Sequence, residues 1–397
     1  MNRPLEGITV LTLEHAIAAP FCTRQLADLG ARVIKVERPG TGDFARAYDQ
    51  RVNGLASHFV WTNRSKESLT LDVKHPQGQE VLRRLVAEAD VLVQNLAPGA
   101  AARLGLSYEA LSKEHKGLIV CDISGYGDDA KQPGPYRDKK AYDLLIQSES
   151  GFLSVTGTPD EMAKAGCSIA DIAAGMYAYS NILAALLQRD KTGKGCRIDV
   201  SMLESMVEWM SFPMYYAFDG AAPPARAGAA HATIYPYGPF PAGDGKMVML
   251  GLQNEREWQV FCAKVLEQPA LATDARFASN TLRTASREAL REIIVQSFAP
   301  FSAAQIIERL DAAQIANAQA NTMQDVWAHP QLRARERWTE VGTGAGAIPA
   351  LWPPGMPREW DPRMDAVPTL GQHTDAILAE IGYDAAAIAA LRAQEAV

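Results

Sequence analysis

The chain is short of positive charge: 39 Lys and Arg stand against 46 Asp and Glu, a formal net charge of -7 at pH 7. A protein that neutralises a phosphate backbone needs the opposite balance, so nucleic acid is not expected as a partner. It is also poor in cysteine. The five present, Cys22, Cys121, Cys167, Cys196 and Cys262, are scattered with no CxxC and no Cys/His pairing. Neither a zinc site nor a disulfide framework follows from that spacing, and no metal is expected. Long apolar runs are missing too. The first twenty residues, MNRPLEGITVLTLEHAIAAP, carry no apolar signal stretch, and nowhere do about 18 apolar residues run without a charge. The expectation is a cytoplasmic chain with no membrane partner.

What is present is a repeating pattern. GITVLTLE, PFCTRQLADLG and ARVIKVE read as strand, helix and strand from residue 7 onward. The alternation continues through SLTLDVK, PQGQEVLRRLVAEA, DVLVQN and GLIVCDISGYG. β-Branched runs separated by amphipathic helices predict an α/β fold with a mostly parallel sheet and helices on both faces. A helix around AYDLLIQSE, a long helix from Ser168 to about Arg189, the strand GCRIDVSM and a helix from near Leu203 follow. Pro and Gly then thicken in FDGAAPPARAGAAHATIYPYGPFPAGDG, which reads as a boundary. The expected organisation is a large Rossmann-like domain over 1–225, a smaller α+β domain over 226–325 and a C-terminal segment, 326–397, returning to the first.

A first β-α-β unit invites a dinucleotide reading, but its turn, LEHAIAAPFC, has no glycine to let the backbone approach a pyrophosphate. Phosphate-loop, HExxH and GxSxG signatures are missing as well. Familiar metal and acyl-serine chemistry is therefore not indicated. Instead, polar residues gather at strand ends, where open parallel sheets bind ligands. His15 ends the first strand, Arg38 follows the second, Lys74 the third, and Asn95 and Arg103 bracket the fourth. Several cations on one sheet edge of an acidic chain suit a polyanionic ligand.

One acid stands apart. In CSIADIAAGM, Asp171 lies among small apolar residues. SIAD matches a capping box, with Ser168 at the N-cap and Asp171 at the third helical position. Capping leaves Gly175 unexplained, since a glycine inside a helix costs about 1 kcal/mol relative to alanine. Gly175 stands four positions on, along the same face, and is read as clearing room beside the carboxylate. An acid so placed can act as a nucleophile, with the helix N-terminus keeping it ionised.

At this point the chain resembles a known family, the class III CoA-transferases, also called CaiB/BaiF. The likeness rests on GARVIKVERPGTGD, NRSKESLTLDVKHPQG, DVLVQNLAPGAAARLG, AYDLLIQSESGFLSVTG, SIADIAAGMYA, RIDVSMLES and LGQHTD, in that order along essentially the whole chain. The resemblance implies a Rossmann-like large domain with a small domain, two chains interlocked as a homodimer, and Asp171 as nucleophile. It implies that the substrates are an acyl-CoA thioester and a free carboxylate, with no tightly bound cofactor. His15, Ala16 and Ile17 match a loop beside the thioester. Arg38, Leu71, Lys74, Asn95, Arg103 and Lys140 match residues around the nucleotide and pantetheine. Tyr142 and Asp143 match residues that approach the aspartate.

Two features depart from formyl-CoA transferase, a member of that family. Its glycine-rich loop is missing here, with AAHATIYPYGPFPAGDG nearby instead, and apolar Ile17 stands where it has a glutamine. The IYPYG form resembles the branch that transfers CoA from succinyl-CoA to C4–C5 dicarboxylates such as itaconate, mesaconate, citramalate or glutarate derivatives. Arg226 and His231 are the candidate cations for the second carboxylate. Three alternatives stay open: formyl or oxalate transfer, α-methylacyl-CoA racemisation, and CoA binding without chemistry. Racemisation is disfavoured because Tyr142 replaces that relative's histidine, and a tyrosine is a poor base near neutral pH.

Overall fold

The structure, a computed structural model, describes residues 3–357 and 359–397. Six strands form one parallel sheet: β1 (Thr9–Leu13), β2 (Arg32–Glu37), β3 (Lys66–Thr70), β4 (Val91–Gln94), β5 (Ile119–Ser124) and β6 (Arg197–Ser201). Their order is β3-β2-β1-β4-β5-β6. Val10 pairs with Val33 on one side and Val91 on the other, so β1 is covered along both edges. This explains its composition: TVLTL is buried almost throughout and needs no polar face. The order reverses between β1 and β4, and the crevice at that point is where such sheets take ligands.

Two compact units divide the chain. The first holds residues 1–150, 165–210 and 332–397; the second holds 151–164 and 211–331. These segments differ from linear boundaries at 225 and 325, and hydrogen bonds give a reason. Gly228 N–H donates to the Gly157 carbonyl at 2.7 Å, and Arg226 donates to the Thr158 and Pro159 carbonyls at 2.8 Å each. The 151–164 segment is thereby tied to the later one. In the first unit, Ile377, Leu378, Ile388 and Leu391 from the end of the chain share a core with Leu11, Ile34, Leu69 and Leu92 of the sheet. A short antiparallel pair, β10 (Trp338–Val341) and β11 (Ile348–Leu351), belongs to the same unit. The second unit builds its own core from Phe240, Trp258, Phe261, Phe277, Leu290 and Phe298 beneath an antiparallel sheet of β7 (Tyr237–Pro241), β8 (Met247–Gly251) and β9 (Ala316–Gln319).

The longest helix, Ile169–Thr192, is rich in alanine and leucine and ends on Gly193, whose φ of 68° lets its N–H reach the Arg189 carbonyl. Arg189 and Lys191 in its last turn complement the negative end of the helix dipole. Its length and hydropathy would suffice to cross a membrane. Packing accounts for both, because Ala170, Ala173, Ala174, Gly175, Ala178, Ile182, Ala185 and Leu186 are buried within the unit.

Candidate active site

The carboxyl ends of the strands open onto a cleft of about 1130 Å³ that includes His15, Arg38, Leu71, Lys74 and Arg103. Five of the sequence-predicted residues thus share one wall. Lys140 is exposed on the loop before the Asp143–Glu149 helix and is not among the residues lining that cleft. Asn95 acts one step back: its Oδ1 accepts the His15 N–H at 2.8 Å and its Nδ2 donates to the His15 carbonyl at 2.9 Å. β4 therefore clamps the backbone that leaves β1, across the point where strand order reverses. Sequence reasoning missed Arg392, which reaches the cleft from the Ala385–Ala393 helix and pairs with Asp375 at 2.5 Å.

Beneath this turn lies a buried ionic network. Glu14 accepts from Lys66 Nζ at 2.6 Å, Thr23 Oγ1 at 2.7 Å and Thr12 Oγ1 at 2.9 Å, with Lys35 Nζ at 3.3 Å. Lys35 also donates to Asp43 at 2.8 Å. Burial opposes the charge on Glu14, but Lys66 and Lys35 outweigh it and hold the carboxyl below its usual range. The same contest leaves Asp43 ionised, chiefly through Lys35. Above the network Ala16 sits at φ 61°, a left-handed conformation costing an L-residue about 1–2 kcal/mol. Ile17 is buried at the start of the Ala18–Asp28 helix, its carbonyl taking the Phe21 N–H at 2.7 Å.

Asp171 lies in the first turn of the Ile169–Thr192 helix, but the expected capping box does not form. Ser168, with φ −78° and ψ 71°, makes no side-chain cap. Asp143 caps the helix from outside: its Oδ1 accepts the Ala170 N–H at 2.8 Å and the Asp171 N–H at 3.3 Å, while Oδ2 accepts from Gln147 at 2.7 Å. A carboxylate from another helix satisfies the orphan amides that Ser168 was expected to meet. The expectation that the helix end keeps Asp171 ionised also needs correction. Burial, and then the negative charge of Asp143, push its carboxyl up to about 7.

Gly175 is corrected as well. A Cβ there would stand 2.7 Å from the Ala18 carbonyl oxygen and 3.0 Å from Phe21 Cδ1. The missing side chain admits the Ala18–Asp28 helix rather than open space. That close crossing brings the helix after His15–Ile17 against the helix one turn beyond Asp171, in the same unit as the cleft, although Asp171 is not among the residues lining the cleft. Tyr142 precedes the Asp143–Glu149 helix and is 68% exposed. Tyr48, missed in the sequence, feels the acid electrostatically: burial, then the charges of Asp43 and Asp171, lift its phenol to about 12. No short sequence signal marks it.

In the second unit, Arg226 is engaged by the two carbonyls described above. His231 stacks on Tyr237 at 5.3 Å, and its Nδ1 accepts the amides of Thr233 and Ile234 at 3.2 and 3.1 Å. These contacts shape the loop ahead of IYPYG.

The sequence and fold are shared with known proteins. The sequence profile of CoA-transferase family III matches residues 5–374. Succinyl-CoA:glutarate CoA-transferase of Mus musculus is 35% identical over 97% of this chain and 88% of its own. Succinate--glutarate CoA-transferase of Agrobacterium fabrum is 35% identical over 95% of this chain and 96% of its own. Among solved structures, a CAIB/BAIF family protein from Brucella suis superposes with a TM-score of 0.84 at 34% identity, covering 96% of this chain and 100% of that one.

Proposed function

The chain belongs to CoA-transferase family III, and from that membership we propose that it moves CoA from succinyl-CoA to a C4–C5 dicarboxylate of the glutarate kind, with Asp171 as covalent nucleophile. The observation that carries the assignment of Asp171 is its setting: a carboxyl desolvated to a pKa of about 7, in the unit that also holds a cation-bearing cleft. A carboxylate with a raised pKa is a stronger nucleophile than one in water and is still substantially ionised at neutral pH.

In the proposed sequence Asp171 attacks the succinyl thioester carbonyl, and the C–S bond breaks to give a mixed anhydride and CoA thiolate. The thiolate attacks the aspartyl carbonyl, forming an aspartyl-CoA thioester and releasing succinate. The acceptor carboxylate then displaces CoA thiolate from that thioester, giving a second anhydride. Attack of the thiolate on the acceptor's carbonyl yields the new acyl-CoA and regenerates Asp171. One thioester is exchanged for another, so these steps consume no ATP.

Arg38, Lys74, Arg103 and Arg392 would face the phosphates of CoA, while Leu71 and His15 would line its pantetheine side. Lys140, Ala16 and Ile17 are assigned to the acyl-CoA, and Tyr142 and Asp143 to the acid itself. Arg226 is carried as the cation for the acceptor's second carboxylate, and His231, whose Nδ1 accepts two amides, as a donor to it through Nε2. The relatives' glutarate chemistry supports this acceptor class, to which itaconate, mesaconate and citramalate also belong. Two interlocked chains are part of the same proposal; the exposed Leu187 and Trp209, at 65% and 45%, are surfaces for a second copy to cover.

The test is CoA transfer from succinyl-CoA to glutarate, itaconate, mesaconate, citramalate and oxalate, followed by mass spectrometry. Transfer confined to oxalate would overturn the acceptor class. Asp171→Ala should abolish turnover and the hydroxylamine-sensitive adduct on the Asp171 peptide. Deuterium entering the α-position of recovered acyl-CoA without CoA exchange would instead favour racemisation.

A further inference from the structure

The turn that carries His15 is more elaborately held than a strand-to-helix connection requires. We infer that Asp43 is a positioning residue, which locks the His15–Ala16–Ile17 turn into the conformation that catalysis uses. The inference rests on the CoA-transferase reading only for its kinetic consequence.

Three observations carry it. Asp43 is fully buried, and its Oδ1 accepts the Ala16 N–H at 3.1 Å and the Ala45 N–H at 2.9 Å, with His15 Nδ1 at 3.8 Å. Its Oδ2 takes Lys35 Nζ at 2.8 Å, and its own N–H donates to Glu37 at 3.0 Å. Ala16 is held at φ 61°, where glycine or asparagine would sit without strain. A buried ion pair is weak evidence for added stability, because well-packed apolar residues serve a core as well. Strain of this kind persists only where the surroundings over-determine it, and it concentrates at functional sites. Phe44 adds a second restraint, stacking on the His15 ring at 5.1 Å one residue after Asp43. Asp43 thus touches the turn at its backbone and faces its imidazole, while Lys35 fixes Asp43 from below. The side chain acts through the turn.

Asp43→Asn keeps the shape but removes the charge that Lys35 and the amides share. Amide hydrogen exchange in the peptide covering residues 14–21 should accelerate at least about tenfold while β2 and β3 stay protected. The kcat for succinyl-CoA-dependent transfer should fall about 10–100-fold, more than KM rises, as expected for a misplaced catalytic frame. Adding Ala16→Gly, which adopts the same φ without strain, should restore kcat about threefold or more. If Asp43→Asn does not fold, Asp43→Asn with Lys35→Met leaves Glu14 matched to Lys66 and is measured in its place. Unchanged exchange in 14–21, or a kcat loss that Ala16→Gly leaves untouched, overturns the inference. A wild-type protein inactive in every transfer assay would sink the functional reading instead, and the exchange measurement would still decide the role of Asp43.

Discussion

The Asp143 carboxylate accepts the backbone amides of Ala170 and Asp171, at 2.8 and 3.3 Å, so one acid fixes the helix that carries the other. The same contact sets two negative charges close together. Their repulsion, added to the larger effect of burial, lifts Asp171 to about 7. Positioning and pKa tuning therefore come from a single side chain.

A pH profile should show this coupling. For the free enzyme, kcat/KM should fall on the acid side with an apparent pKa near 7, as Asp171 takes up a proton and loses nucleophilicity. Asp143→Asn keeps an amide-accepting oxygen but removes the charge. The acid limb should then move to lower pH while staying above the ordinary carboxylate range, since burial remains. An acid limb that stays in place would show that Asp143 does not tune Asp171.

Stability should carry the opposite signature from an ordinary ion-paired acid. Asp171 has a folded pKa raised from 3.8 to about 7, so between those values the folded chain holds a proton that the unfolded chain has released. Stability from this group is present below about pH 4 and declines as pH rises toward 7. Asp171→Asn should therefore stabilise the protein at pH 8 relative to wild type and have little effect at pH 4. A shift of about three pKa units, at about 1.4 kcal/mol each, corresponds to about 4 kcal/mol, and solvent reaching a half-buried carboxyl reduces that, so about 1–2 kcal/mol is expected from urea midpoints at the two pH values.

Much of this was legible in the sequence where physics is local. Period-two and period-3.6 patterns gave the parallel sheet, and in such a sheet the strand ends share an edge, so His15, Arg38, Lys74 and Arg103 were found as a group. Legibility failed where a contact spans the chain. SIAD satisfies a local capping rule, yet the cap comes from Asp143 across 27 positions. Lys35 in ARVIKVE reads as an ordinary strand lysine, but it is fully buried between Glu14 and Asp43. Arg392 carries no local mark at all, because only the return of the last helix to the sheet brings it to the cleft.

Gly175 offers a test of close packing against substrate access. With the Ala18 carbonyl oxygen 2.7 Å from where a Cβ would stand, Gly175→Ala forces two helices apart. Gains in helix propensity, about 1 kcal/mol, offset part of the overpacking cost of about 1–3 kcal/mol. Net destabilisation of up to about 2 kcal/mol is expected by urea titration, larger for Gly175→Val. Activity should fall together with stability. A fully stable Gly175→Val variant that has lost transfer alone would restore the idea that this glycine makes room for the thioester.

Arg392 gives the sharpest division between binding and chemistry. Its ion pair with Asp375 has side chains 56% and 57% exposed, and such exposed pairs contribute little, about 0–1 kcal/mol. Removing the guanidinium should therefore leave the fold almost unchanged. Its place in the cleft with Arg38, Lys74 and Arg103 makes it a fourth cation toward a polyanionic ligand. Arg392→Gln should raise KM for succinyl-CoA about 3–10-fold, a cost typical of one ordinary solvent-exposed hydrogen bond, and leave kcat within about twofold. The wild-type KM should rise with ionic strength, and less steeply in the variant, because one of the screened charges is gone. Steady-state kinetics at two salt concentrations measure both effects. Equal loss in kcat and kcat/KM would place Arg392 in the transition state rather than in ground-state binding of CoA.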